Sequence, residues 1–303
     1  MAKVAFVVDS TACIPQDYLE EYGIQVVPSL LIWGGKAYQD GLDIHPDEFY
    51  ERLTRTREMP TTAAPNPATF QEKFLDLLEQ GKDVLGVFLS QKVSAVYANA
   101  LAAADALAAD NLIVVDSRSG GMALGWAVIR AARAAEAGAP LAKCAEIVDN
   151  ALKQTGFLAT LDTLKYLQRG GRIGSAERWL GMAINLKPIV GIIDGELAGI
   201  ERVRTRRRAL ERMIEMMEVQ VAGRRPISLA ILHTNATAEA QALLEDIHRR
   251  LALDEWVIAS VSPTVGAHFG PGALGLTFLA GGNDKIRSAT SHRSRNDDKR
   301  QTG

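Results

Sequence analysis

Small hydroxyl and acidic side chains recur at one kind of position in this chain, just after an apolar run of strand type. Asp9-Ser10-Thr11 follow VAFVVD, Ser90 and Ser94 follow VLGVFL, and Asp116-Ser117 follow LIVVD, while Thr61-Thr62 stand on a loop ahead of a helix. In a parallel sheet the carboxyl ends of the strands share one edge, and ligands bind there. Helices that start at that edge offer unpaired N–H groups and a positive dipole end, which suits an anion. Ser10, Thr11, Thr62, Ser94 and Ser117 are therefore all candidate pocket hydroxyls. Asp9, Ser94 and Ser117 also precede helix-forming stretches, so plain N-capping accounts for each of them singly.

The segment Leu161–Gly174, LDTLKYLQRGGRIG, adds a cation. Leu161, Leu164 and Leu167 have the spacing of one apolar helix face, and Asp162 is placed to cap the first turn. Gly170 and Gly171 permit the left-handed conformation that stops a helix, so Arg172 leaves the turn in a fixed direction. Further on, Gly266-Ala267-His268-Phe269-Gly270-Pro271-Gly272 sets a histidine between a strand and a glycine-rich turn. The flanking glycines imply close approach of backbone or ligand.

Two chemistries fit these residue types. One is an anion pocket of neutral hydroxyls with Arg172 and His268 beside it. The other is a serine hydrolase using Ser94, His268 and Asp116, but the chain has no GxSxG elbow to expose such a nucleophile. GxxxxGK[ST], HExxH and a GxGxxG after the first strand are also absent, which argues against an autonomous NTPase, a zinc protease or a dinucleotide-dependent dehydrogenase. Cys13 and Cys144 form no CxxC or Cys/His cluster, so neither a disulfide framework nor a metal site is expected. The residues by themselves specify an anion pocket and leave the anion unnamed.

The elements that must position these groups are legible in the pattern. With 303 residues, 47% hydrophobic and 23% charged, the chain can bury two cores, and a net charge of -2 gives no general attraction to nucleic acid or to an anionic membrane surface. Strands and helices alternate through residues 1–155, predicting an α/β domain with a mainly parallel sheet, in which IQVVPSLLIW reads as one strand and Gly34-Gly35-Lys36 as a hairpin excursion. Residues 156–282 read as a mixed α+β domain. It has a hairpin turn at Asp194-Gly195, a helix over about Ala176–Ala183, a helix over about Arg206–Val221 and closing strands ISLAIL, VIASVSP and ALGLTFLA. Residues 283–303 carry six Lys/Arg against three Asp and almost no apolar side chain, and are expected to be disordered. The arginine run from Arg202 to Arg212 lacks interleaved aromatics and reads as a solvated face, with Met213, Met216 and Met217 behind it as core. The N-terminus enters an apolar strand directly, without a signal peptide, and no apolar run spans a bilayer, so a cytoplasmic protein without stable membrane insertion is expected.

Taken in order, the DST at Asp9–Thr11, the Thr62…Pro65 loop, the Ser90…Tyr97 turn, VVDS at Val114–Ser117, LDTLKYLQRGGRIG, LKPI at Leu186–Ile189 and the His268…Gly272 turn resemble the DegV family, which includes the B subunits of fatty acid kinase. The resemblance runs from about residue 3 to residue 281. It implies a two-domain DegV-like fold that buries one long-chain fatty acid between the domains, with Thr62 and Ser94 on the carboxylate and Arg172 and His268 close to that head group. It further implies a non-catalytic lipid-binding subunit without a cofactor of its own, whose fatty acid is phosphorylated to an acyl phosphate by a separate ATP-binding kinase subunit. Arg172 and His268 then serve phosphoryl transfer or docking, and the product feeds phospholipid metabolism. This chain has Thr62-Ala63-Ala64-Pro65 where the family commonly has Thr-Ser-Gln-Pro, Ser94-Ala95-Val96-Tyr97 where it has Ser-Gly-Thr-Tyr, and Phe269 where threonine is common.

Overall fold

The computed structural model describes residues 4–56, 58–180 and 186–281. The chain opens with β1 (Val4–Asp9), α1 (Gln16–Tyr22), β2 (Gln25–Val27), β3 (Leu30–Trp33), β4 (Lys36–Gln39) and α2 (Pro46–Arg55). It continues through β5 (Thr61–Ala63), α3 (Pro67–Glu79), β6 (Asp83–Phe88), α4 (Val96–Leu107), β7 (Leu112–Asp116), α5 (Met122–Glu136) and α6 (Leu141–Leu152). After β8 (Thr155–Thr160) and the short α7 (Lys165–Arg169) come β9 (Lys187–Ile193), β10 (Glu196–Val203) and α8 (Arg206–Val221). The last elements are β11 (Ile227–His233), α9 (Thr237–His248), β12 (Glu255–Ser260), α10 (Pro263–Phe269) and β13 (Leu274–Ala280).

Three sheets result. A four-stranded sheet, ordered β2-β1-β6-β7, is parallel throughout, so the residues after β1, β6 and β7 do share one edge. A six-stranded mixed sheet, ordered β10-β9-β8-β13-β11-β12, is antiparallel except for its β11–β12 pair. The third sheet, β4-β3-β5, corrects the single strand expected over IQVVPSLLIW. Pro28 has no N–H to give a ladder, so the chain leaves the parallel sheet after Val27 and starts the separate antiparallel β3, whose hairpin with β4 turns at Gly34 and Gly35.

Between the two larger sheets lies α5, buried from Met122 to Ala132, and one apolar cluster joins it to Phe6, Val8 and Leu85 on one side and to Ala230, Leu232 and Leu279 on the other. A helix that packs on both sides must be largely apolar, which explains its run of Ala, Gly, Trp, Val and Ile, with Arg130 the one charged residue buried in it. Met213 and Met217 of α8 are core residues of a second cluster with β11 and β13, and Met216 packs against it. The arginine run is a paired surface: Arg212 bonds Glu201, Arg207 and Arg208 bond Glu211, and Arg206 bonds Glu239.

Other local expectations change. Asp162 caps no helix: its carboxylate sits 2.7 Å from Lys187 Nζ, α7 begins three residues later, and Lys165 N–H donates to Thr163 Oγ1 instead. A full charge on the neighbouring β9 holds the carboxylate better than the partial charge of a helix end. Gly171 is left-handed, φ 69°, whereas Gly170 keeps a right-handed helical φ of -75°. The segment expected as a helix from Ala176 is a tight 3-10 turn over Gly174–Trp179, and the rest of that helix, from 181 on, lies outside the described residues, as does the expected tail 283–303. His268 stands in the last turn of α10, a helix announced by Ser262-Pro263: Ser262 Oγ accepts from Val265 N–H and Pro263 occupies the first turn.

Candidate functional site

A cavity of about 1070 Å³, counted with its opening to solvent, lies where the three sheets meet. Its walls are mostly apolar, with Leu89, Phe157, Ile192, Leu197, Leu232 and Phe269 among them. Thr62, Ser94, Arg172 and His268, far apart in sequence, all line it.

Thr62 is carried by β5, opposite Leu31 of β3, and its Oγ1 lies 2.8 Å from His268 Nε2 across the gap to α10. Burial, with the Arg172 charge beside it, lowers the His268 pKa to about 4, so the ring is neutral at neutral pH. Its Nδ1 is buried without a hydrogen-bond partner among the described residues, facing Gly170 so closely that a Cβ there would lie 2.1 Å from it. Gly170 therefore supplies room for the imidazole, a role the sequence reading assigned instead to helix termination.

Arg172 is held by two backbone carbonyls, its Nε donating to Val93 at 3.2 Å and its Nη1 to Gly170 at 2.7 Å. The first bond ties the GGRIG turn to the loop that carries Ser94. Ser94 Oγ accepts from Val96 N–H at 3.4 Å, leaving its own proton to donate. The N-cap position of α4 is Ala95, without a side-chain cap bond, so Ser94 lines the cavity and is not the cap expected from its place before the helix.

The remaining sequence candidates part ways. Thr11 lines the cavity, but its hydroxyl donates to the buried Asp9, whose carboxylate also accepts from Leu89 N–H at 2.9 Å. Ser10 and Ser117 lie behind the wall rather than on it. Ser10 Oγ donates to Asp40, 30 residues away, at 2.8 Å, and Ser117 Oγ donates to the Ser119 carbonyl within its own turn at 3.0 Å. Ser90 donates to the Gly195 carbonyl at 2.7 Å, fastening the β9–β10 turn to the parallel sheet.

The hydrolase triad is not assembled. Asp116 accepts from Gln91 and Arg118 N–H groups, His268 Nε2 is joined to Thr62 rather than Ser94, and His268 Nδ1 has no carboxylate to orient it. Among the described residues no group of three or more His, Cys, Asp or Glu side chains could hold a metal ion, and no helix is long and apolar enough to cross a membrane. Ser29, Thr234 and Thr264 also line the cavity and were not singled out in the sequence, and Cys13, weighed there only for disulfide and metal roles, lines it too. The one available signal was Thr264, which stands one helical turn before His268.

The family described as "Uncharacterised protein, DegV family" matches residues 3–281. The chain belongs to the DegV family. A DegV domain-containing protein of Streptomyces coelicolor is 34% identical over 275 residues, covering 90% of this chain and 97% of that one. Among solved structures, a DegV family protein from Thermus thermophilus, described for its fatty acid binding, superposes with a TM-score of 0.86 at 28% identity, covering 92% of this chain and 99% of its own. DegV from Bacillus subtilis, described as a fatty acid binding protein, gives 0.84 at 27% identity, covering 92% and 100%. The likeness to these DegV proteins spans both the parallel and the mixed sheet, so the fold is the two-domain DegV fold.

Proposed function

We propose that this DegV protein binds one long-chain fatty acid in the cavity and presents its carboxylate to a separate ATP-binding kinase subunit, which phosphorylates it to an acyl phosphate. The observation that carries the reading is a single apolar cavity in which two hydroxyls, a neutral imidazole and a guanidinium converge. Burying a carboxylate requires donors to offset lost hydration, and burying its chain contributes roughly 0.8 kcal/mol per methylene, so a tail of about 16 carbons holds without polar help. The fatty acid binding described for the Thermus and Bacillus relatives supports the same ligand.

The orphaned His268 Nδ1 fits a definite proton arrangement. A buried N–H without an acceptor is rarer than a buried lone pair without a donor, so the proton belongs on Nε2, donating to Thr62 Oγ1. The Thr62 hydroxyl proton is then free to reach the carboxylate together with that of Ser94. Arg172 lies beside this pair and offsets negative charge as the phosphoryl group arrives from ATP in the kinase subunit. This chain needs no cofactor of its own for that role, and it works in the cytoplasm with its kinase partner, supplying acyl phosphate to phospholipid metabolism.

Native mass spectrometry of the purified protein tests the binding step. One co-purified fatty acid per chain is expected. A protein that carries none, and binds none after delipidation, removes the proposal. Arg172→Ala is expected to lower acyl phosphate formation with a fatty acid kinase subunit at least about 100-fold, the scale of a lost charge-stabilising donor, while fatty acid retention falls less than about tenfold. Equal loss of both places Arg172 on the ground-state carboxylate alone.

A further inference from the structure

A second polar pair lines the same cavity beyond Thr62 and His268. Thr264 precedes His268 by four residues on α10, so the two side chains share a helix face about 6 Å apart along the axis. Ser29 stands just before β3, and both it and Thr62 of the neighbouring β5 line the cavity. This pair lies deeper than the first, Ser29 being 4% and Thr264 3% exposed, while Thr62 and His268 are only partly buried.

The two hydroxyls are chemically complementary. Thr264 Oγ1 donates its proton to Asp40, which also accepts from Ser10 Oγ, and with Ser262 Oγ 3.2 Å away as its donor it keeps one lone pair to face the cavity as an acceptor. The Ser29 backbone is engaged, its N–H with Ser10 Oγ at 3.1 Å and its carbonyl with Asp40 N–H at 2.9 Å, but its hydroxyl makes no hydrogen bond among the described residues. This hydroxyl opens on the cavity rather than being sealed in the wall, so it is free to pair with a polar group of the ligand. One ligand hydroxyl satisfies both, accepting from Ser29 and donating to Thr264.

We propose that Ser29 and Thr264 select acyl chains that carry a hydroxyl a few bonds from the carboxylate, so that hydroxy fatty acids are preferred ligands. The inference rests on the fatty acid reading above. A chain of extended single bonds advances about 1.2 Å per bond, so the roughly 6 Å between Thr264 and His268 corresponds to about five bonds from carboxylate oxygen to hydroxyl oxygen. The hydroxyl then belongs near carbons three to five. A plain alkyl chain leaves the Ser29 hydroxyl unpaired, whereas a chain hydroxylated far from the carboxylate carries its own polar group into an apolar wall.

Calorimetric titration of the delipidated full chain with hexadecanoic, 3-hydroxyhexadecanoic, 5-hydroxyhexadecanoic and 12-hydroxyhexadecanoic acids tests this. One of the two proximal hydroxy acids is expected to bind about tenfold tighter than hexadecanoic acid, and the distal one no tighter. Ser29→Ala is expected to bring that ratio close to one while hexadecanoic acid affinity stays within about twofold or improves. Thr264→Ser, which keeps the bond to Asp40, retains the preference and guards against a folding effect. Equal wild-type affinity for plain and proximal hydroxy acids overturns the proposal, because the pair is then served by water. Equal weakening of all four acids by Ser29→Ala also overturns it, assigning Ser29 to the carboxylate. Failure of every acid to bind wild-type protein defeats the fatty acid reading itself, a result distinct from loss of preference.

Discussion

Gly174→Ala is expected to lower the unfolding free energy by about 3 kcal/mol or more, seen as a drop in denaturant midpoint at unchanged slope. Two costs combine. Gly174 has φ 51°, where alanine is strained by about 1 kcal/mol, and its new Cβ would lie 1.8 Å from the Leu197 carbonyl oxygen. A backbone atom of β10 cannot swing aside as a side chain can, so the turn after Arg172 must shift and an overpacking penalty of about 1–3 kcal/mol follows. Gly171→Ala separates the two terms, since Gly171 has φ 69° with nothing within 4 Å of its absent Cβ. It should cost only the strain. Equal losses for the two variants eliminate the carbonyl contact as the cause.

Gly170→Ala isolates the other function of the same turn. With φ -75°, Gly170 imposes no backbone penalty on alanine, yet the new methyl would lie 2.1 Å from His268 Nδ1. The imidazole has to move, and its 2.8 Å bond to Thr62 is lost. Fatty acid affinity is expected to fall about 10- to 100-fold, the cost of disordering one donor and leaving a buried partner unmet. In a His268→Ala background the same change should cost nothing, giving a coupling of about 1–3 kcal/mol between the two positions. Additive effects in that cycle mean that Gly170 acts by some route other than the histidine ring.

These two glycines mark where sequence reasoning ran out. GGRIG was legible as a turn that delivers Arg172, because glycine pairs after an apolar helix face stop helices. Which glycine turns the chain and which makes room for a neighbour depends on what packs against them, and His268 and Leu197 are distant in sequence. Asp162 shows the same limit: its type suited a cap, and Lys187 on the adjoining strand claimed it instead.

Local rules were enough for the alternation of strands and helices, the parallel edge and the hairpin at Asp194-Gly195, since each depends on periodicity or turn chemistry within a few residues. They also offered Thr62, Ser94, Arg172 and His268 within a wider set of polar candidates, from which the family resemblance picked out these four. Tertiary structure alone decided which hydroxyls face the cavity. Ser10, Ser90 and Ser117 spend theirs on nearby carboxylate and carbonyl groups, while Ser29, which no local rule singled out, keeps its own toward the cavity. A hydroxyl rotates to whatever partner the fold brings within about 3 Å, so its type is written in the sequence and its use is settled by long-range packing.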